Sequence, residues 1–386
     1  MCIAENFSVP FAGAPFINLR MTEPPPLQQI DRTYVMFRGQ KFSYFGGCDY
    51  FRLSSHPKVL RAAERSLRRF GLNVSASRTT TGNHALYQEL ESALTGFFDA
   101  EDALLVGNGY ATNLIAGQAL AGNFSHALID QRSHPSLVDA ARFLNCPVIT
   151  FEHRDAADVA RQVQRIGAGA RLILLTDGMF SHDGSVAPLK KYLQSLPRDA
   201  MLLVDDAHGA GVLGETGQGS LQLEGVHRRR IIQTLTLSKA FGSYGGAILG
   251  TPKLREQIFA KSGQFVGHTP VPLPLAGAAM AAIRILAGNP RLRARLKNNV
   301  DRIKTILRKN FFPIPETPGP IVSVMLPTPG KMEQLRRRLL ATQIFPPFIQ
   351  YPGGPAEGYF RFVISSEHRR DQLDSLLRAL LAQGIQ

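Results

Sequence analysis

Between residues 103 and 250 the chain repeats one pattern, a short apolar segment followed by a segment of helical periodicity. No other regularity limits its folding as strongly. ALLVG (103–107), ALID (127–130), PVITF (147–151), RLILLT (171–176) and AMLLVDD (200–206) read as strands, the last two apolar enough for burial on both faces. IIQTLT and GGAILG add two more. YATNLIAGQALA, SLVDAARFL and AADVARQVQRI, which lie between them, space their apolar residues as one helix face does. Strands alternating with helices build βαβ units around a mostly parallel sheet, so the fold class is α/β.

Upstream, HPKVLRAAERSLRRF and HALYQELESALTGFF carry the same helical spacing. Beyond about residue 285 the chain turns basic and alternates RLRARLKNNVDRIKTILRKN (helix), IVSVML (strand), KMEQLRRRLLATQ (helix), FRFVIS (strand) and HRRDQLDSLLRALLAQ (helix). This predicts three parts: an extended, Pro-rich segment over 1–45 that ends in a hairpin around Gly39, a large domain over 46–285, and a small C-terminal α+β domain over 286–386.

Charge and cysteine content narrow the class. The 386 residues carry a net charge of +14. The basic residues are spread along helix faces rather than gathered in one block, which suits attraction of phosphorylated or acidic ligands better than base reading. Nucleic acid is therefore not the expected partner, and a basic nucleic-acid-binding protein on this scaffold is a distant alternative. Cys2, Cys48 and Cys146 are too few and too scattered for a disulfide framework or a structural zinc site, and no metal is expected. No apolar run is long enough to span a bilayer and no signal peptide is evident, which points to the cytoplasm and away from membranes.

Five segments carry chemistry. In LLVDDAHGAGVLGETGQGS a buried strand delivers Asp205 and Asp206 at its C-terminal end, where ligand sites of open α/β sheets gather. A carboxylate there is costly to bury without a cationic partner. In TLTLSKAFGSYGGAILG, Lys239 follows a strand among small residues and glycines, 34 positions after Asp205. A lysine that forms an imine must shed its proton near neutral pH, which partial burial promotes. In LLVGNGYATNLIAG a strand runs into Gly107 and Gly109 and a helix starts at once, the arrangement whose free amides bind phosphate. LIDQRSHPSLVDA places His134 between a strand and a helix, and LLTDGMFSHDGSVAPL ends a strand in a turn with Ser181 and Asp183.

The order and spacing of these segments resemble the α-oxoamine synthases, which are pyridoxal 5'-phosphate (PLP) enzymes of fold type I. The matching motifs are Gly109-Tyr110-Ala111-Thr112-Asn113, Asp130 to Ser136, Ser181-His182-Asp183-Gly184, Asp205-Asp206-Ala207-His208 through Gly214, and Thr236 to Lys239, within a likeness that spans roughly residues 45 to 380. The resemblance implies a fold-type-I PLP-dependent transferase. It implies a Schiff base on Lys239, Asp205 on the pyridinium nitrogen, His208 on the phenolic oxygen and His134 stacked on the ring. Gly109, Tyr110 and Thr236 would bind the phosphate, with Ser181 beside the cofactor. Thr269, in GHTPVPLP, would reach the phosphate of a neighbouring subunit in a homodimer. Arg361, in YFRFVISSEH, would grip the carboxylate of a small amino acid.

The implied reaction is an acyl transfer: glycine, alanine or serine condenses with an acyl thioester, on coenzyme A or an acyl-carrier protein, and loses CO2 to give an α-aminoketone. Among family members of this length, 8-amino-7-oxononanoate synthase is the best-known activity. Aminotransfer or aldol-type cleavage on the same fold is the alternative. The chain departs from the family pattern at Cys48, Arg52, Tyr87 and His182, at Asp206 where glutamate is usual, and in the loop YPGGPAEG. The changes gather where substrate and acyl donor would sit.

Overall fold

The computed structural model describes residues 26–350, 355 and 357–382. Cys2, most of the Pro-rich lead-in and most of the YPGGPAEG loop lie outside the described residues.

The described chain opens with strands β1 (Gln28–Asp31), β2 (Tyr34–Phe37) and β3 (Gln40–Tyr44). The hairpin joining β2 to β3 turns on Arg38 and Gly39, both at positive φ (49° and 76°), the two-residue turn whose twist matches antiparallel strands. Helices α1 (Pro57–Phe70) and α2 (Ala85–Phe98) follow, then β4 (Asp102–Val106), α3 (Gly109–Ala119), β5 (His126–Asp130), α4 (Pro135–Arg142), β6 (Val148–Phe151) and α5 (Ala156–Ile166). The alternation continues with β7 (Leu172–Asp177), α6 (Leu189–Ser195), β8 (Met201–Asp205), α7 (Ser220–Leu223), β9 (Ile231–Thr236) and β10 (Gly246–Gly250). Next come α8 (Pro252–Lys261), α9 (Gly263–Gly267), α10 (Leu273–Gly288) and α11 (Pro290–Lys309). The C-terminal layer holds β11 (Ile321–Val324), α12 (Pro329–Ala341), β12 (Ile344–Phe345), β13 (Phe348–Ile349), β14 (Tyr359–Val363) and α13 (Arg370–Leu381).

The central sheet runs β4-β10-β9-β8-β7-β5-β6. Six of its seven strands run in the same direction, and β10 is antiparallel to both neighbours. The β9–β10 connection is too short for a crossover and must double back; that reversal carries Lys239. Alternate residues of the strands enter different cores. Leu104, Val106, Ile129 and Leu203 pack against α3, α4 and α8, whereas Leu105, Leu235 and Leu249 pack with α1, α2 and α10.

Helix α10, LPLAGAAMAAIRILAG, has no polar face to give it periodicity because it is buried between α1 and α2. Pattern reading therefore passes over it, as it does over α6, α8 and α9. The N-terminal hairpin is built onto the C-terminal layer, since β3 pairs in parallel with β12 through Ser43 and Ile344. His368 reinforces that join. It stacks on Phe45 at 4.1 Å and faces the Tyr44 carbonyl through Nε2 at 3.0 Å.

Candidate active site

The parallel strands β5, β7 and β8 each end in an aspartate: Asp130, Asp177 and Asp205. Asp177 and Asp205 are register partners at the C-terminal edge of the sheet. Burial first, and then the charge of Asp205, push the Asp177 carboxyl well above the usual carboxylate range, so Asp177 keeps a proton more readily than an exposed aspartate. Asp205 accepts hydrogen bonds from Asn113 Nδ2 at 2.6 Å and from the Ala207 amide at 3.0 Å. Asn113 is held in turn by the Thr234 hydroxyl, which donates to its Oδ1 at 2.6 Å, and it donates to Ser136 Oγ at 2.8 Å. Asp206 points elsewhere. It accepts from the Ser220 amide and from Gln233 Nε2, and burial pushes it up to about 7. Of the adjacent pair in the sequence, Asp205 is the one whose charge acts on Lys239.

Lys239 is half-buried, and its Nζ lies 2.6 Å from His208 Nε2. His208 Nδ1 lies 2.6 Å from the hydroxyl of Tyr50, which is fully buried. Burial raises the Tyr50 phenol well above its ordinary value and holds His208 well below its own. A Tyr50 hydroxyl that keeps its proton donates to Nδ1, which assigns the ring proton to Nε2, the nitrogen that faces Lys239. Burial lowers the Lys239 pKa in the same sense, partly opposed by the Asp205 and Asp177 charges.

His134 caps α4, its amide donating to Asp177 Oδ2 at 2.8 Å and its Nδ1 lying 2.7 Å from Ser136 Oγ. Burial lowers its pKa, so the ring is mainly neutral. The Tyr110 side chain turns to Asp139 on α4 and stands edge-on to His134. Gly109 opens α3 opposite Thr236, where a Cβ would come within 2.7 Å of the Thr236 Cβ; this close approach requires glycine. Thr236 Oγ1 also accepts from the Ser238 amide. Thr269 is exposed before α10, and its carbonyl passes beside Gly107.

Arg361 enters from β14. It donates to the Ser181 carbonyl at 3.2 Å, its other terminal nitrogen lies 3.9 Å from Cys48 Sγ, and no carboxylate pairs with it among the described residues. Its charge is felt at Lys239, His208 and Tyr50, which places it at the same site. His182 follows Ser181 and lies 2.7 Å from the Tyr359 hydroxyl through Nδ1.

Two of the four departures belong to the frame. Tyr87 is fully buried and donates to the Val271 carbonyl at 2.7 Å. Arg52 holds a left-handed backbone (φ 52°) that suits glycine, and buries its guanidinium against the Tyr44 and Gly46 carbonyls. Sequence reasoning assigned no role to Tyr50 or Asp177. The recurrence of aspartate at three strand ends was a signal for Asp177. Tyr50 lies in a loop without periodicity and offered none.

These residues fit PLP. The first turn of α3 and the Thr236 and Ser238 hydroxyls make a donor cradle for a phosphate, with no Cβ at Gly109 to obstruct it. His268 Nε2, buried and without a hydrogen-bond partner, adds an unsatisfied polar atom beside Gly107. A half-buried amine and a buried carboxylate on adjacent strand ends supply the two groups that a pyridine aldehyde needs.

Known proteins give the same answer. Residues 46–380 match the family model for aminotransferase class I and II. An 8-amino-7-oxononanoate synthase of Thioalkalivibrio sulfidiphilus is 34% identical over 346 residues, covering 89% of this chain and 88% of that protein. The 8-amino-7-oxononanoate synthase 1 of Bacillus subtilis is 30% identical over 353 residues, covering 91% and 90%. A serine palmitoyltransferase from S. paucimobilis, solved with bound PLP, superposes with a TM-score of 0.87 at 26% identity and covers 93% and 92%. The chain belongs to the class I and II aminotransferase family of fold-type-I PLP enzymes and, within it, to the α-oxoamine synthases.

Proposed function

We propose that the protein condenses a small amino acid, glycine, alanine or serine, with an acyl thioester and releases CO2 to form an α-aminoketone, in the manner of 8-amino-7-oxononanoate synthase. The observation that carries this reading is Arg361: a half-buried guanidinium beside Lys239 with no carboxylate partner among the described residues. A planar fork with no carboxylate partner at a lysine site suits the carboxylate of an incoming amino acid.

Bound PLP supplies an electron sink for the electrons of a broken Cα bond. The first turn of α3 and Thr236 would hold its phosphate, and Asp205, oriented by Asn113 and the Ala207 amide, would pair with its ring nitrogen. His134, fixed at both its amide and Nδ1, offers a flat neutral wall. Lys239 Nζ, its pKa lowered by burial and its place set by His208 and Tyr50, takes the Cα proton and returns one after the new carbon–carbon bond has formed. Ser181 positions Arg361 through its carbonyl. We read the working form as a cytoplasmic homodimer in which the exposed Thr269 serves the partner's phosphate cradle. Among the described residues no helix is long and apolar enough to cross a membrane.

The test is turnover of the PLP-loaded protein with glycine, L-alanine or L-serine and an acyl-CoA. Thiol and CO2 released in equal amounts, with one amino acid preferred, is the expected result. Transfer of the amino group to an oxo acid with no need for thioester would overturn the reading.

A further inference from the structure

Helix α11 buries Leu296, Val300, Ile303 and Leu307 in the core it shares with β11 and β14, and it buries Lys304 as well. Lys304 is 2% exposed, and no other lysine among the described residues is buried so deeply. An ammonium taken out of water is costly unless hydrogen bonds and an opposite charge compensate it. Lys304 Nζ donates to the Thr317 carbonyl and to Thr317 Oγ1, both at 3.0 Å. It forms no salt bridge among the described residues, since nearby Asp301 pairs with Lys297 and Glu316 with Arg308. Burial lowers its pKa to about 8, opposed chiefly by the charge of Asp183 in the turn that follows Ser181. For the fold alone, an apolar side chain at this position would cost less.

What Lys304 holds leads to Arg361. Thr317 begins the short segment, residues 317–320, that enters β11. Within it Gly319 lies flat against Gly184, where a Cβ on Gly319 would overlap the Gly184 carbonyl oxygen and touch Met179 Sδ. Gly184, at φ 74°, closes the turn that carries Ser181, His182 and Asp183. The C-terminal layer grips that turn at two successive carbonyls. Ser323 on β11 and Arg361 on β14 are register partners. The Ser323 hydroxyl donates to the His182 carbonyl, and Arg361 donates to the Ser181 carbonyl. A bidentate grip on a carboxylate needs its fork held to within about 0.5 Å. If the turn slides on Gly319, the Ser181 carbonyl moves with it and the guanidinium loses its orientation.

We propose that Lys304 is a positioning residue for the amino-acid substrate: by pinning Thr317 it holds residues 317–320 against the turn whose Ser181 carbonyl aims Arg361. The proposal rests on the reading above, in which Arg361 grips the amino-acid carboxylate. Lys304 acts through Thr317 and Gly319 and not by touching substrate.

The test compares the PLP-loaded wild type with Lys304→Met, Thr317→Val, their double variant and, as a reference, Arg361→Lys. Cofactor absorbance titrated with glycine, L-alanine or L-serine gives the amino-acid affinity; steady-state kinetics and urea midpoints accompany it. Lys304→Met keeps most of the stem and removes the charge. It should weaken amino-acid binding and raise the amino-acid KM about tenfold, with kcat, thioester KM and PLP affinity within about twofold. Its urea midpoint should hold or rise, because an apolar side chain replaces a buried charge without a counter-ion. Thr317→Val, at a half-buried position, should raise the same KM about threefold, and the double variant should be no worse than Lys304→Met. A lower midpoint with amino-acid affinity unchanged would make Lys304 a residue of the frame alone and overturn the proposal. Equal weakening of amino acid, thioester and cofactor would overturn it too. If Lys304→Met does not fold, Thr317→Val decides in its place. Unaltered amino-acid affinity in Arg361→Lys would instead overturn the Arg361 reading, and the proposal with it.

Discussion

The cofactor side and the substrate side of the site are built differently. On the cofactor side, Asp205, Asn113, Thr234, Ser136 and His134 form one chain of hydrogen bonds, most of them buried. On the substrate side, Arg361 reaches the Ser181 carbonyl at 3.2 Å and lies 3.9 Å from Cys48 Sγ, and His182 meets Tyr359 at 2.7 Å, all between the large domain and the C-terminal layer. The departures divide along the same line. Tyr87 and Arg52 are absorbed into the frame, whereas Cys48 and His182 remain next to Arg361. A buried network tolerates little change because each unpaired polar atom costs about 1–3 kcal/mol. A partly solvated contact between two layers can be retuned at lower cost.

The contrast can be broken from either side. Asp205→Asn should be the severest change. A neutral amide cannot hold the ring nitrogen protonated, and kcat should fall about 1,000-fold or more with the PLP spectrum altered. A drop of only a few-fold would remove the cofactor side from its controlling place. Arg361→Lys keeps the charge but loses the fork, so steady-state kinetics should show kcat/KM for the amino acid down about 100-fold, chiefly in KM.

The frame beneath the substrate side has its own pH signature. Burial lowers His368 to about 3 from 6.5. Between those values the unfolded chain binds a proton that the folded chain refuses, so the folded state loses stability as pH falls from 6.5 towards 3. In His368→Asn that part of the pH dependence should vanish from urea midpoints measured across the window. His182→Met removes the Tyr359 contact, and it should shift KM for the amino acid or thioester about threefold while leaving PLP affinity alone. Tyr87→Phe should do least to catalysis. It leaves the Val271 carbonyl without its donor, so denaturant titration should show about 1 kcal/mol less stability and kcat should stay within about twofold. A larger loss of turnover would return Tyr87 to the site.

The local content of the sequence was sufficient for the alternation of strands and helices, for Lys239 behind β9 and for Asp205 at the end of β8. Periodicity and strand-end placement are properties of neighbouring residues, and they survive without knowledge of the fold. Tertiary structure alone decided the rest. It selected Asp205 over Asp206 by the direction in which successive strand residues point, and it brought Tyr50 to His208 across 158 positions. It also turned Tyr87 into the core. Those outcomes depend on which surfaces meet when the helices close over the sheet. No spacing along the chain records that, because contact energy belongs to pairs of residues that the sequence keeps far apart.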